Sequence, residues 1–213
     1  MASRTAWALA AAALLMAAPV GGQSIPASWL DQPLESWNTA GAAVPKAPAG
    51  DETKASVVER CRLAPPRSTG PERAVDAAGW IPFWNVDQQL VRDEIEIVGG
   101  MRGADGMCRP TAYNLFVFVA GRFAGVLSPT SMTSRLDSSS GAVRVQPPGL
   151  TADFSRYASS DPLCCPSSHV TVRLKADTTY ARTACVSGFS FRFRSSEWGL
   201  TAESARSSCV DRE

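Results

Sequence analysis

The stretch that decides the fold is Tyr113-Asn114-Leu115-Phe116-Val117-Phe118-Val119-Ala120-Gly121-Arg122-Phe123-Ala124-Gly125-Val126-Leu127. Its first seven residues are apolar at nearly every position, a pattern typical of a strand that is buried on both faces. Ala120-Gly121 is a tight turn, and the residues after it predict a returning strand, which Pro129 ends. The sequence therefore predicts a β-hairpin whose first strand is central in a sheet.

Shorter strands and one helix are predicted around this hairpin. Alternating apolar and polar residues predict strands at 94–98, 143–145, 150–157 and 170–174. Thr69 or Ser68 is placed to cap a short helix, Pro71 suits its first turn, and Gly79 suits its end. The expected fold class is mostly β (α+β). We expect a small, curved antiparallel sheet or a partly closed barrel with one short helix.

The N-terminal residues have the pattern of a secretory leader. Arg4 precedes an alanine-rich apolar run at 6–18, which is too short to be a good membrane span. The small residues after this run predict cleavage after Gly22, so that residues 1–22 are a signal peptide; a retained membrane anchor is the alternative. No Cys lies near the predicted cleavage site, so we expect a periplasmic or secreted protein without a stable membrane anchor.

Composition divides the rest of the chain into three parts. Residues 23–56 are rich in Pro, Ala and Gly and are expected to form an irregular arm. The two tryptophans of this arm are expected to dock on the domain itself, although a partner-binding arm is the alternative. Residues 57–175 are expected to form a β-rich domain. Residues 176–213 lack sustained apolar alternation and predict a poorly packed tail, apart from an edge strand at 189–193.

The six cysteines are expected to be mostly paired, because the chain has the pattern of an exported protein. Four of them lie in the β-rich domain: Cys61, Cys108, Cys164 and Cys165. We expect Cys164 and Cys165 each to bond to one of the two distant cysteines, and the sequence does not choose the connectivity. A ring between Cys164 and Cys165 is the alternative. A zinc site is not expected, because there is no C-x-x-C motif and only one His.

Few residues of the chain suit catalysis or the binding of a polyanion. The formal net charge is +1, with both signs interspersed, which gives no electrostatic case for nucleic acid or an anionic membrane. The glycine-rich segment 99–108 lacks the G-K-[ST] of a phosphate loop and is expected to connect two strands. Ser167 and Ser168 precede the only imidazole, His169, but neighbouring residues point in different directions. No G-x-S-x-G motif occurs either.

Four arginines lie on neighbouring predicted elements: Arg109, Arg122, Arg135 and Arg156. They are candidates for a cationic groove that binds a carboxylate or a phosphate. Ordinary pairing with surface carboxylates is the alternative. No cofactor and no metal are expected.

Several strings of the domain resemble the LppP/LprE family of bacterial envelope proteins. They are ADGMC at 104–108, FVAGRFAGVLSP at 118–129, Met132-x-Ser134-Arg135-x-Asp137, and the segment 154–167, which contains D-P-L-C-C-P-S. The resemblance covers roughly residues 90–175. It implies an exported envelope domain with paired cysteines and brings no established activity. That family is often lipid-anchored, and the leader of this chain lacks a lipidation Cys.

These observations predict an exported envelope protein of unknown activity. A non-enzymatic binding or structural module is favoured, with another envelope protein or a small ligand as its partner. The alternative is a hydrolase of unrecognised type that uses His169. The two differ in the position of His169, which a hydrolase would hold in a pocket with a carboxylate and a hydroxyl.

Overall fold

Two antiparallel sheets that pack face to face form the body of the protein. The computed structural model describes residues 28–34, 36–39, 41–65, 69–83, 91–92, 94–146, 149–177 and 185–194. The predicted signal peptide lies outside these residues, as do the parts of the predicted tail at 178–184 and 195–213.

The first sheet contains the predicted hairpin. Its strands are β1 (Ile81–Phe83), β2 (Val91–Arg92), β3 (Ile95–Ala104), β4 (Pro110–Val119) and β5 (Arg122–Val126). The order is β1-β3-β4-β5, and β2 also pairs with β3. β4 pairs with β3 on one side and with β5 on the other. The strand predicted to be central is therefore central.

The second sheet is formed by the later part of the chain. Its strands, in spatial order, are β6 (Ser140–Gln146), β7 (Gly149–Arg156), β8 (Ser168–Asp177) and β9 (Cys185–Arg194). β9 lies at the edge, where an edge strand was expected, but it is longer than predicted and pairs with β8 from Asp177 to His169. Inward-facing residues of β6 to β8 are buried at every second position, as the alternation predicts.

Two short helices accompany the sheets: α1 (Lys54–Cys61) and α2 (Gly70–Ala77). α2 is the predicted helix, since the Thr69 side chain accepts a hydrogen bond from Glu72 N and Gly79 follows the helix with φ +92°. α1 was not predicted, although Thr53 caps it in the same way. Within the described residues, no helix has the length and apolarity needed to cross a bilayer.

β4 is buried on both faces because a separate apolar cluster covers each of them. Leu115 and Val117 belong to the cluster between the two sheets. Phe116 and Phe118 belong to the cluster on the opposite face, which also contains Val75 of α2. The first sheet is thus the middle layer of the molecule, between the second sheet and a cover made of α2 and part of the arm.

The mostly β class and the antiparallel pairing are confirmed, whereas the finer expectation of a small curved sheet or a partly closed barrel with one short helix is not what the structure has. The described residues form two separate sheets with two short helices and no closed barrel. The physical reason is that the alternation of apolar and polar residues shows which face of a strand is buried. It does not show which other strand lies beside that strand in a sheet. After β5 the chain leaves the first sheet, and β6 begins a new one.

The predicted loop at 99–108 is also wrong for most of its length. Gly99 to Ala104 belong to β3, and only the residues after Ala104 form a turn. A Cβ atom on Gly100 would lie 2.7 Å from the Phe116 ring and 2.9 Å from Val75. The glycine is therefore explained by close packing inside a strand rather than by loop flexibility.

Candidate functional site

Three chain connections meet at one end of the two sheets, which we call the loop end. They are the β3–β4 turn at 105–109, the segment 131–139 before β6, and the β7–β8 loop at 157–167. The first two are neighbours because Ser134 N donates to Pro110 O at 3.1 Å. The last two are neighbours because Tyr157 N donates to Asp137 Oδ1 at 3.0 Å.

The cysteines of the domain are all at the loop end, but their pairing differs from the expected one. Cys61 at the end of α1 is bonded to Cys108 in the β3–β4 turn, with 5.5 Å between their Cα atoms. Cys164 and Cys165 are bonded to each other. The expected bonds from the vicinal pair to Cys61 and Cys108 are therefore wrong. The reason is that α1 lies against the β3–β4 turn, which places Cys61 beside Cys108.

Contacts of Arg60 explain why α1 ends at this turn. Its guanidinium donates to the backbone carbonyls of Ala104 and Asp105, both at 3.0 Å, and to Glu52 at 2.8 Å. The neighbouring Cys61 is thereby held beside Cys108. Sequence reasoning had no access to this contact, because it joins residues 44 and 45 positions apart.

The β3–β4 turn is built around the carboxylate of Asp105. Its Oδ1 accepts hydrogen bonds from Arg109 N at 3.0 Å and Met107 N at 2.8 Å, and its Oδ2 accepts one from Arg109 Nε at 2.6 Å. These bonds, led by that from the Arg109 backbone, lower the pKa of Asp105. The turn is rigid for this reason, and it leaves Met107 at its tip.

The β7–β8 loop is closed by a second carboxylate. Asp161 Oδ2 accepts hydrogen bonds from Ala158 N and Ser167 N, each at 2.8 Å. These backbone hydrogen bonds, first that from Ala158, lower the pKa of Asp161. Tyr157 Oη donates to Leu163 O at 3.1 Å and fixes the tip of the loop, where Cys164 and Cys165 are exposed.

The four arginines of the predicted groove are not brought together as one group. Arg109 is paired with Asp105, and Arg156 donates to Asp137 at 3.0 Å and Asp31 at 2.7 Å. Arg135 lies at the loop end too, where it is exposed. Arg122 lies beside Val119 in the register of β4 and β5, at the opposite end of β4 from Arg109.

The loop end carries exposed apolar side chains that sequence reasoning missed. Met107, Leu136 and Leu163 are 70%, 49% and 63% exposed, and they are the large apolar side chains that the described residues leave exposed. Each stands on a different one of the three connections. The signal in the sequence was a large apolar residue amid turn-forming residues, as in Gly106-Met107 and Pro162-Leu163.

The backbone of the loop end is also unusual. Positive φ angles occur at Arg62, Cys108, Ala112, Arg135 and Ser138, between +45° and +65°. Side chains other than glycine rarely adopt this conformation, which persists only where the surroundings hold it. Such residues cluster at functional sites, and here they lie in or beside the connections that carry the exposed side chains.

His169 lies at the start of β8 and is exposed. Its backbone pairs with Ser155 and Arg194, and its imidazole has no hydrogen-bond partner in the described part of the chain. The carboxylate–imidazole–hydroxyl relay of a serine hydrolase is thus not formed there by the described residues. The described residues also contain no cluster of three or more His, Cys, Asp or Glu side chains that could hold a metal ion.

Comparison with known proteins gives one family match. The model of the LppP/LprE lipoprotein family matches residues 94–179. This range runs from the start of β3 through β8 and includes all three connections of the loop end. The resemblance seen in the sequence is therefore confirmed over these residues. No curated protein and no solved structure matches this chain.

Proposed function

We propose that this chain, whose residues 94–179 match the LppP/LprE lipoprotein family, is an envelope protein that binds another envelope protein through its loop end. The proposed role is that of a non-enzymatic module. One observation carries the proposal: Met107, Leu136 and Leu163 are exposed on three separate connections at the same end. Apolar side chains scattered singly need no explanation, but several at one end are typical of an interaction site.

The energy available from these side chains is sufficient to matter. Burying one Leu or Met side chain contributes about 1.5–3 kcal/mol. A micromolar complex requires about 8 kcal/mol beyond the entropic cost of association, so three side chains that are 49–70% exposed supply only part of it. Arg135, which is exposed beside Leu136 in the chain, is suited to form part of a polar rim.

The rigidity of the loop end also favours binding. The Cys61–Cys108 bond and the carboxylates of Asp105 and Asp161 hold the connections in place before any partner arrives. Arg156 adds a link from the segment before β6 to Asp31 of the arm. A preorganised surface loses less conformational entropy on binding, and therefore binds more tightly for the same contacts.

A hydrolase that uses His169 has less support. The imidazole is exposed, and no described carboxylate or hydroxyl forms a hydrogen bond with it. Substrate positioning and proton transfer both require such neighbours. We therefore retain the binding module as the proposed function.

Site-specific photo-crosslinking in cells that make the protein natively tests this proposal. A photoreactive side chain is placed at Leu136 or Leu163, and at Arg173 on the exposed outer face of the second sheet as a control. We expect both loop-end positions to give an adduct of the same mass that the control position does not give. Exchanging Met107, and whichever of Leu136 and Leu163 is not carrying the probe, for Ser should abolish the adduct. Equal crosslinking from all positions, or none from the loop end, would overturn the proposal.

A further inference from the structure

Part of the arm crosses the first sheet as a strap, residues 37–39 and 41–48, that is fastened near both ends. Near its start, the amide of Asn38 bonds to the backbone of Val126 in β5. Near its end, Pro45 O accepts a hydrogen bond from Trp80 Nε1 at 2.7 Å. Between these fastenings, Ala42 N bonds back to Thr39 O at 3.2 Å, within the strap itself.

A cleft of about 420 Å³ lies between the strap and the sheet. Its volume falls within the range of about 300–1,000 Å³ that is usual for small-molecule sites. Aromatic rings of Trp37, Trp80 and Phe123 contribute to its lining, together with apolar and proline residues of the strap. Ser128 and Ser131 line it from the segment that follows β5.

Among the described residues that line the cleft, Lys46 is the only charged one. It is exposed, and no carboxylate of the described residues forms an ion pair with it. The buried amide in the lining, that of Asn114, is already satisfied, since it donates to Ser128 O and accepts from Leu115 N, both at 2.8 Å. The cleft thus offers apolar and aromatic surface beside one positive charge that has no ion-pair partner among the described residues.

We infer that this cleft binds a small molecule with an apolar body and a single negative charge. The apolar body lies against the aromatic lining, and the anionic group pairs with the ammonium of Lys46. Aromatic rings favour flat or apolar groups of this kind, and the ammonium of an exposed Lys pairs with carboxylate or sulfonate oxygens. The inference does not rest on the exposed apolar side chains of the loop end, although Ser131, at the start of the segment 131–139, also lines the cleft.

The test is isothermal titration calorimetry of the full-length protein with three probes. The probes are 1-naphthoate, decanoate and the neutral 1-naphthylmethanol. The first two compare an aromatic with an aliphatic body on the same carboxylate group, and the third lacks the negative charge. We expect one of the two anions to bind with a stoichiometry of one and the neutral alcohol to bind more weakly. Lys46→Gln should weaken anion binding by about three- to tenfold and leave binding of the alcohol unchanged.

Two further variants test the location. Ser131→Phe and Ala43→Phe fill the cleft from opposite sides at exposed positions, and each should abolish binding. Arg173→Gln, which removes a positive charge elsewhere, is the matched control and should bind like the parent. Binding that survives both filling variants, an equal loss in Arg173→Gln, or no binding of either anion would overturn the inference.

Discussion

The side-chain amide of Asn38 bonds to both backbone polar groups of Val126, as a neighbouring β-strand would. Asn38 Oδ1 accepts from Val126 N at 2.8 Å, and Asn38 Nδ2 donates to Val126 O at 3.0 Å. Gly125 makes the approach possible, since a Cβ there would lie 2.3 Å from Asn38 Cγ. The arm thereby covers part of the free edge of β5, which would otherwise offer unpaired groups to other chains.

Asn38→Ala should lower the free energy of unfolding by about 1–3 kcal/mol, because it leaves Val126 N without its acceptor, while Val126 O keeps the hydrogen bond from Trp37 Nε1. Urea denaturation measures the change. Thr39→Ala, at an exposed neighbouring position, is the control and should have little effect. Equal stability of the two variants would show that the amide does not hold the arm in solution.

Phe118→Ala should cost about 3–5 kcal/mol, because the ring is fully buried on the outer face of β4. Its ring meets that of Phe123 edge-on, with 5.7 Å between the centroids. Phe123 is only partly buried, so Phe123→Ala should cost less and serves as the comparison. Thermal and urea unfolding give the two values, and an unchanged midpoint for Phe118→Ala would contradict the central position of β4.

Gly100→Ala should destabilise the protein by about 1–3 kcal/mol, because the added methyl group meets the buried ring of Phe116 and the side chain of Val75. Gly106→Ala is the matched control, since a Cβ at Gly106 meets nothing within 4 Å. The comparison by denaturant unfolding separates close packing from backbone flexibility. If Gly106→Ala were the more damaging variant, flexibility of the turn would be the explanation.

Replacing both Cys61 and Cys108 by Ala should cost about 4 kcal/mol, because their bond joins residues 47 positions apart and restricts the unfolded chain. Replacing both Cys164 and Cys165 should change the free energy of unfolding by no more than about 0.5 kcal/mol. These residues are adjacent, so their bond does not restrict a long loop of the unfolded chain, and both are exposed. Peptide mapping without reduction checks the pairing directly. A peptide linking Cys61 to Cys164 or Cys165 would contradict the structure.

Asp161 should titrate below the ordinary range of a carboxyl group, since backbone hydrogen bonds from Ala158 and Ser167 stabilise its charged form. Because the pKa of Asp161 is lower in the folded state, its ionised carboxylate stabilises the fold. This stabilisation is complete above the unfolded pKa of about 3.9 and is lost as the pH falls through the folded pKa. Loop order should therefore be constant around neutral pH and decline only in acid. Amide exchange at Ala158 and Ser167 measures it, and Asp161→Asn should show no such acid-dependent loss.

The hairpin around β4 and the helix after Thr69 were predictable because their signals are local. An apolar run, a two-residue turn and a capping Thr each act over a few residues, and the structure has all three. Gly99 and Gly100 were wrongly predicted to lie in a loop, because the reason for a glycine at these positions is not local. They make room for side chains from β1, β4 and α2, which only the packed structure brings near.

The candidate site was predictable only in part, because Met107, Leu136 and Leu163 were missed in the sequence. The sequence singled out the cysteines and arginines, and the structure places most of them at the loop end. It could not reveal that Cys61 meets Cys108 or that Arg156 joins Asp137 to Asp31, because such partners are chosen by contacts between distant segments.

The amino-acid sequence by itself determined where most of the strands lie, which of their faces are apolar, and where the hairpin turns. Those properties follow from side-chain periodicity and from backbone preferences of single residues. Tertiary structure alone decided that β6 begins a second sheet and that three connections share one end. It also decided that the strap leaves a cleft above β4 and β5. These features depend on the pairing and stacking of distant strands, where burial of apolar surface, rather than local preference, selects the partner.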